Sequence, residues 1–275
     1  TDFFTTRLQH TMIRNIIILF LATVIFISCK KDNSEVYTQS AKDTALGEVL
    51  IVDVLKQILY TSPNFLIDEQ DSIINGIRLS SEPEVNDSIF PKTITINYED
   101  GVTGVLGKMR KGKIILKINS RTVITENLDV SFENFSSDGS SIWGNILYTY
   151  NPSTSGYDGE LINNGISIVN PNGTMKLNGT FSLSKSSTSG TVDLTDDIYD
   201  FECATNGIDF EQTSFNYNTS KKHTIDFSCK DYIISGESNL MPYEKSSQTI
   251  TFGDGNCDAI GTIFLEEGQQ KNFNF

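Results

Sequence analysis

Three oxygen-bearing side chains alternate in one short turn near the end of the chain. Asp254, Asn256 and Asp258 occupy every second position of residues 254–258. Carboxylate and amide oxygens in this pattern are typical of calcium loops, but Leu265 stands where an EF-hand loop has its bidentate glutamate. A hairpin turn whose Asp and Asn side chains bond their own backbone explains the same residues. We therefore treat Ca²⁺ as the weaker interpretation and predict no other cofactor.

Nucleophilic catalysis with a histidine base would have to use His223, since His10 is the only other histidine. A Ser-His-Asp triad needs a histidine that touches both of its partners. His223 follows Lys221 and Lys222 in a polar stretch, which predicts that it is exposed to solvent. The sequence also contains no Walker loop, GxSxG elbow, HExxH or CxxC motif. We therefore expect no enzyme and rank a secreted hydrolase last among the hypotheses.

The charge balance excludes several classes of protein. The 275 residues include 21 Lys and Arg against 35 Asp and Glu, so the formal net charge is −14. Binding to nucleic acid requires clustered basic residues, and such an acidic chain argues against it. Two histidines argue against a His-rich zinc or iron enzyme. Hydrophobic residues make up 38% of the chain, which is enough for a sizeable core.

An apolar run near the start of the chain predicts export. Residues 16–27 are apolar apart from Thr23, with Arg14 before them and two lysines after Cys29. As a helix, twelve residues would span about 18 Å at about 1.5 Å per residue, well short of a bilayer core of about 30 Å. The length therefore suits the hydrophobic part of a secretory signal peptide better than a transmembrane helix.

The apolar run ends at Ser28 and Cys29, and this ending resembles a bacterial lipobox. In lipoprotein precursors, the leader is cut before such a cysteine, which carries the lipid. We therefore predict residues 1–11 as an upstream extension of the reading frame, residues 12–28 as a lipoprotein signal peptide and Cys29 as the lipid attachment site. An ordinary signal peptide or a short signal anchor is the alternative. The prediction implies an outer-membrane lipoprotein on the periplasmic face or the cell surface.

Two further segments precede the body of the chain. Residues 29–43 are polar and lack apolar periodicity, which predicts a flexible tether. In residues 44–60, apolar side chains recur at steps of three and four, which predicts a helix. A helix that packs on a sheet is the simpler interpretation of this stripe, and a partner-binding helix is the alternative.

Beyond about residue 90, the apolar period changes to two. The clearest example is residues 174–183, where Met175, Leu177, Phe181 and Leu183 alternate with polar side chains. Such alternation indicates an antiparallel sheet with one buried and one wet face. We therefore predict a mainly β domain over residues 61–275, arranged as an antiparallel meander, curved open sheet or sandwich, with the one N-terminal α-helix packed on it.

Acidic or amide residues followed by glycine predict the hairpin turns between these strands. They lie at Asp100-Gly101, Asp138-Gly139, Asp158-Gly159, Asn164-Gly165, Asn172-Gly173 and Asp254-Gly255.

The chain resembles a group of uncharacterised Bacteroidota outer-membrane lipoproteins. The matching pieces are the Cys29 lipobox and residues 43–46, 91–96, 110–115, 229–236 and 253–258. In that group a cysteine is often found in the first acidic turn, where this chain has Val102 and Thr103. The resemblance implies an exported, lipid-anchored β protein, and it carries no activity or catalytic residue with it.

Three cysteines remain if Cys29 carries lipid. Cys229 and Cys257 each border a predicted strand near the C-terminus, and the resemblance retains both, so we predict a disulfide between them. Cys203 would then be a buried, apolar side chain. The pairing of Cys203 with Cys229 stays open at this point.

The sequence favours a lipid-anchored envelope protein with a structural or binding role. It would be held at the membrane through Cys29 and would have a protein, glycan or lipid ligand that the sequence does not identify. The alternative is a carrier that shelters an apolar ligand in the concave face of its curved sheet, with the helix as a lid.

Overall fold

The structure is a computed structural model that describes residues 36–64, 72–83, 89–104, 106–120, 127–186, 194–266 and 268–275. The predicted signal peptide and Cys29 lie outside these residues. Within them, no helix combines the length and apolar character needed to cross a bilayer.

Helix α1 spans Gln39–Thr61, and a single 3₁₀ turn, Ser62–Asn64, follows it. It begins before Thr44, so the predicted boundary between tether and helix is wrong. The early start has a physical cause, because the Ser40 hydroxyl donates to Asp209 and the Asp43 carboxylate accepts the Phe210 backbone N–H. These bonds anchor the first turn of the helix, although its residues are polar.

The described residues contain fifteen strands. They are β1 (Ser72–Ile74), β2 (Ile77–Glu82), β3 (Lys92–Asn97), β4 (Val102–Thr103), β5 (Met109–Ile118), β6 (Leu128–Ser137), β7 (Ser140–Asn151), β8 (Gly156–Asn170), β9 (Gly173–Lys185), β10 (Ile198–Ile208), β11 (Ser214–Asp226), β12 (Ile233–Pro242), β13 (Gln248–Asp254), β14 (Ile260–Leu265) and β15 (Gln270–Asn274).

The strands form one antiparallel meander. Each strand pairs with the next along the chain, except that β3 and the short β4 both pair with β5. Over the described residues, the path runs from β1 to β15 without closing into a barrel. The predicted mainly β fold with one N-terminal helix is therefore confirmed, in its curved open-sheet form.

The sheet curves around α1. Side chains on β5, β6, β7, β10 and β11 all reach atoms of the helix. Most of the helix is consequently buried, including the polar residues Asp53 and Glu48. The helix forms the centre of the core and lies where the carrier hypothesis expected a ligand.

The inward face of each strand follows the predicted alternation. Met175, Leu177, Phe181 and Leu183 on β9 are all at most 4% exposed. The polar side chains between them lie on the outer, wet face. Burial on one face alone is what an antiparallel sheet around a single core requires.

Two predicted turns are wrong, because Asp158-Gly159 and Asn164-Gly165 lie inside β8. At Gly159, the ring of buried Phe181 occupies the space that a Cβ would need. Asn164 and Gly165 have φ angles of 74° and 80° and lie at a shift in the β8–β9 register. The positive φ angles of these two residues therefore belong to a β-bulge, which bends a long strand without ending it.

Candidate functional site

A cavity of about 370 Å³ lies beside the C-terminal half of α1. Lys56 and Tyr60 of the helix contribute to one part of its lining, and β4 and the start of β5 contribute to others. The loop between β11 and β12, residues 227–232, contributes Phe227, Ser228 and Tyr232 to the lining. The volume lies at the lower end of the range for small-molecule pockets.

Asp53 is the buried anion next to this cavity. Its carboxylate has no exposed surface and accepts two bonds from Arg110, from Nε at 2.9 Å and from Nη2 at 2.5 Å. The hydroxyls of Ser137 and Tyr232 donate to it at 2.9 and 2.6 Å. Burial would raise the pKa of Asp53, but the charge and hydrogen bonds of Arg110 hold it below its ordinary value. The Asp53 carboxylate is therefore ionised, and each of its oxygens accepts two hydrogen bonds from protein groups.

Two lysines carry further positive charge at the cavity. The Lys108 ammonium lies 3.6 Å from a carboxylate oxygen of Asp231 and 4.6 Å from the centre of the Tyr232 ring. Lys56 donates to the Phe227 carbonyl at 2.5 Å and lies 5.0 Å from the Tyr232 ring centre. Burial lowers the pKa of both amines, that of Lys56 to about 8. Among the described residues, no carboxylate forms an ion pair with Lys56.

Lys56 differs from the other two cations at the cavity. Arg110 pairs with Asp53 and Lys108 pairs with Asp231, whereas Asp226 and Asp53 act on Lys56 only from beyond ion-pair distance. The cavity therefore contains a partly desolvated ammonium with no ion-pair partner among the described residues. The arrangement is able to bind an anion.

The remaining lining combines apolar surface with aromatic rings. Ile77, Val102 and Leu106 present aliphatic side chains, and Tyr98 and Phe227 present aromatic rings. Burial raises the pKa of Tyr98 well above its ordinary value, so this phenol stays neutral. A ligand here would have an apolar part as well as a charge.

The predicted cysteine pair lies next to this cavity. Cys229 and Cys257 are at disulfide distance, with a Cα–Cα separation of 5.4 Å. Cys229 belongs to the loop 227–232 that lines the cavity, and Cys257 lies in the loop after β13. The bond therefore ties the cavity wall to a neighbouring loop of the sheet.

The side chains of Asp254, Asn256 and Asp258 form hydrogen bonds within the turn. The Asn256 amide donates to Asp254 at 2.6 Å, and Asp258 accepts the backbone N–H of Ile260 at 3.1 Å. Across the part of the chain that the structure describes, no group of three or more His, Cys, Asp or Glu residues is placed to hold a metal. The hairpin interpretation accounts for these contacts, and Ca²⁺ binding stays an untested prediction.

The predicted exposure of His223 is wrong, because its side chain is fully buried. Nδ1 lies 2.8 Å from Glu48 Oε2, and Nε2 lies 2.7 Å from Ser238 Oγ. Phe215, Tyr217 and Ile225 on β11 point into the core, and position 223 follows the same alternation. Strand alternation was therefore the signal that could have predicted the burial of His223.

The Ser238–His223–Glu48 contacts have the order of a hydrolase triad, but Ser238 has no exposed surface. A nucleophile must reach its substrate, so this arrangement is a buried polar network in the state that the structure describes. Cys203 lies 3.6 Å from Glu48 and is buried, as predicted. Burial raises the pKa of the Cys203 thiol well above its ordinary value, which keeps it protonated and unreactive.

Two larger and more open grooves, of about 640 and 670 Å³, lie on the outer face of the sheet. They are lined largely by outward strand residues such as Thr180, Asn206 and Asn216. Neither brings buried charges together as the cavity at Lys56 does. The smaller cavity is therefore the better candidate site.

The comparisons with known proteins add no relative. The chain matches no protein-family model, no curated protein and no solved structure.

Substitution of Arg110 should show how much the folded chain is destabilised when the buried Asp53 carboxylate has no counter-ion. In Arg110→Met, a buried carboxylate loses its counter-ion, so we expect a loss of about 3–5 kcal/mol in the free energy of unfolding, measured by urea denaturation. Arg78→Met breaks an exposed pair with Glu99 and should cost less than about 1 kcal/mol. Equal losses for the two variants would contradict the assignment.

The lowered pKa of Lys56 makes a prediction about alkaline stability. Between about pH 8 and its ordinary value of 10.5, Lys56 is neutral in the folded chain and protonated in the unfolded chain. The unfolded state then binds more protons, so stability relative to Lys56→Met should rise with pH in this interval. Urea denaturation across the interval measures the difference, and Lys42→Met on the same helix controls for the loss of a lysine. A difference that is flat or falls would contradict the burial of this amine.

Proposed function

We propose that the chain is a lipid-anchored outer-membrane protein that binds a small ligand in the cavity at Lys56. The observation that carries the proposal is a cavity in which the half-buried Lys56 ammonium, without an ion-pair partner among the described residues, lies beside apolar surface. Cavities with an apolar lining and a few convergent polar groups are the usual form of ligand sites. Binding is favoured over hydrolysis because Ser238 and His223 are sealed from solvent.

This proposal limits the carrier hypothesis to small ligands. Helix α1 occupies the space under the curved sheet, so we place the ligand in the cavity beside Lys56 and Tyr60. The same residues support a carrier of one small molecule and a receptor for it. A large lipid would need more room than about 370 Å³.

Anchoring is tested by Cys29→Ser in the full chain. Acyl chains contribute about 0.8 kcal/mol for each buried methylene, so two or more chains hold a protein at a membrane. We expect the native chain in the membrane fraction, labelled by palmitate, and the variant in the soluble fraction without label. Ser28→Ala keeps a small residue before the cysteine and should behave like the native chain. Membrane retention that is unchanged in Cys29→Ser would contradict acyl anchoring.

Binding is tested with hexanol, a small neutral probe, followed by NMR. We expect concentration-dependent shifts of amide signals near the cavity, at Ile77, Val102 and Phe227, because the probe would replace water against apolar surface. Val102→Trp should fill the cavity and remove these shifts. Val169→Trp, at a half-buried position on β8, is the matched control and should keep them. If neither hexanol nor its charged analogues perturb these signals, the binding function is wrong.

A further inference from the structure

We propose that the ligand of this cavity is a small monocarboxylate with an apolar chain or ring, whose carboxylate binds Lys56. The inference rests on the proposed binding function and names its ligand class. It follows from which cations at the cavity are already used, from the donors that Lys56 has left and from the lining around it.

The charge of Arg110 is already paired with a protein carboxylate. Its Nε and Nη2 groups donate to Asp53, and its Nη1 donates to the Lys108 carbonyl at 3.3 Å. The Nε–Nη2 edge, which would bind a phosphate in a bidentate manner, is therefore taken by Asp53. A phosphate monoester would compete with that carboxylate.

Lys108 has an ion-pair partner, and Lys56 has none among the described residues. Asp231 lies 3.6 Å from the Lys108 ammonium, whereas Asp53 and Asp226 act on Lys56 only from beyond ion-pair distance. Since Asp53 also pairs with Arg110, Lys56 is the cation of the described lining that is left to pair with a ligand. One unpaired ammonium favours a monoanion over a phosphate dianion.

The Lys56 ammonium is held in place before any ligand arrives. One of its three N–H groups donates to the Phe227 carbonyl, and its Nζ lies 5.2 and 5.0 Å from the ring centres of Phe227 and Tyr232. An ammonium has three donors, so two remain for the oxygens of a carboxylate. A charge that is fixed and partly desolvated binds an anion more strongly than a free surface lysine does.

The rest of the lining selects the body of the ligand. Ile77, Val102 and Leu106 offer aliphatic contacts, and a cavity of about 370 Å³ accommodates a molecule of roughly six to ten non-hydrogen atoms beside its carboxylate. A fully polar anion such as inorganic phosphate would leave this surface without a partner. The lining and the single charge thus point to the same class of molecule.

The test compares hexanoate, hexanol, hexylamine and inorganic phosphate as ligands of the native chain. Dissociation constants come from NMR titration of the cavity signals. We expect hexanoate to bind about 10- to 100-fold more tightly than hexanol, as for a charge-assisted hydrogen bond. Hexylamine and phosphate should bind most weakly, because one is repelled and the other makes no apolar contact.

Lys56→Met is the decisive variant, and it keeps the length of the side chain. We expect hexanoate to lose its advantage over hexanol in this variant. The dissociation constant of hexanol should change by no more than about threefold, because hexanol makes no charged contact with Lys56. Lys56→Gln provides a second variant if the first does not fold, and Lys42→Met is the control on the same helix. Thermal unfolding confirms that each variant is folded.

The outcomes separate the two proposals. If hexanol binds as tightly as hexanoate, or if Lys56→Met leaves hexanoate binding intact, the carboxylate assignment is overturned and the binding function stands. Preferential binding of phosphate or hexylamine also overturns the assignment. If no probe perturbs the cavity signals, both proposals fail together.

Discussion

Helix α1 lies inside the curved sheet with polar side chains on several of its faces, and three of them have partners on the surrounding strands or just beyond a strand end. A buried polar group without a hydrogen bond costs on the order of 1–3 kcal/mol, and a buried charge costs more. Glu48 meets His223, Asp53 meets Arg110, and Gln57 accepts from the hydroxyl of Tyr98 at 3.2 Å. A slip of the helix by one turn, about 5.4 Å, would break all of these pairs at once. The polar pairs therefore fix the position of the helix along the sheet.

The candidate site follows from that constraint at Asp53. To satisfy its carboxylate, the fold brings Arg110, Ser137 and Tyr232 from three distant parts of the chain to one point of the helix. Tyr232 donates its hydroxyl to Asp53, which orients its ring toward Lys56 and Lys108. The pairing of one buried charge thus places an aromatic ring against the two lysines of the cavity.

Much of the fold was readable from periodicity, because a sheet over a single core leaves a period of two in the sequence. Residues 174–183 show it with Gly179 as the one inward position that lacks an apolar side chain, and they form part of β9 as expected. The glycine signals were less reliable at β8. Gly159 and Gly165 have the residue types of turns, yet one makes room for Phe181 and the other forms a bulge. Glycine reports a backbone or packing requirement, and local sequence does not say which one applies.

The site itself was harder to predict, since its charges come from residues far apart in sequence. Asp53 did give a signal, because it interrupts the apolar run of residues 50–55 and would need a buried cation. Its partner could not be named without the strand order, which decides that β5 passes this point of the helix. His223 was misjudged because two neighbouring lysines suggested exposure. Its position in the inward-outward alternation of β11 decides its burial, whatever the polarity of the adjacent residues.

The loop 227–232 connects the disulfide to the properties of Lys56. The Phe227 N–H bonds the Asp197 carbonyl, and Asp226 accepts from the backbone and hydroxyl of Ser228. Cys229 then joins the loop to Cys257. Held in this way, the Phe227 carbonyl fixes the Lys56 ammonium, and the loop would not have to be ordered by a ligand. Binding by a preorganised site avoids much of that entropic cost, so a single charged contact can suffice to select one class of anion in an otherwise acidic protein.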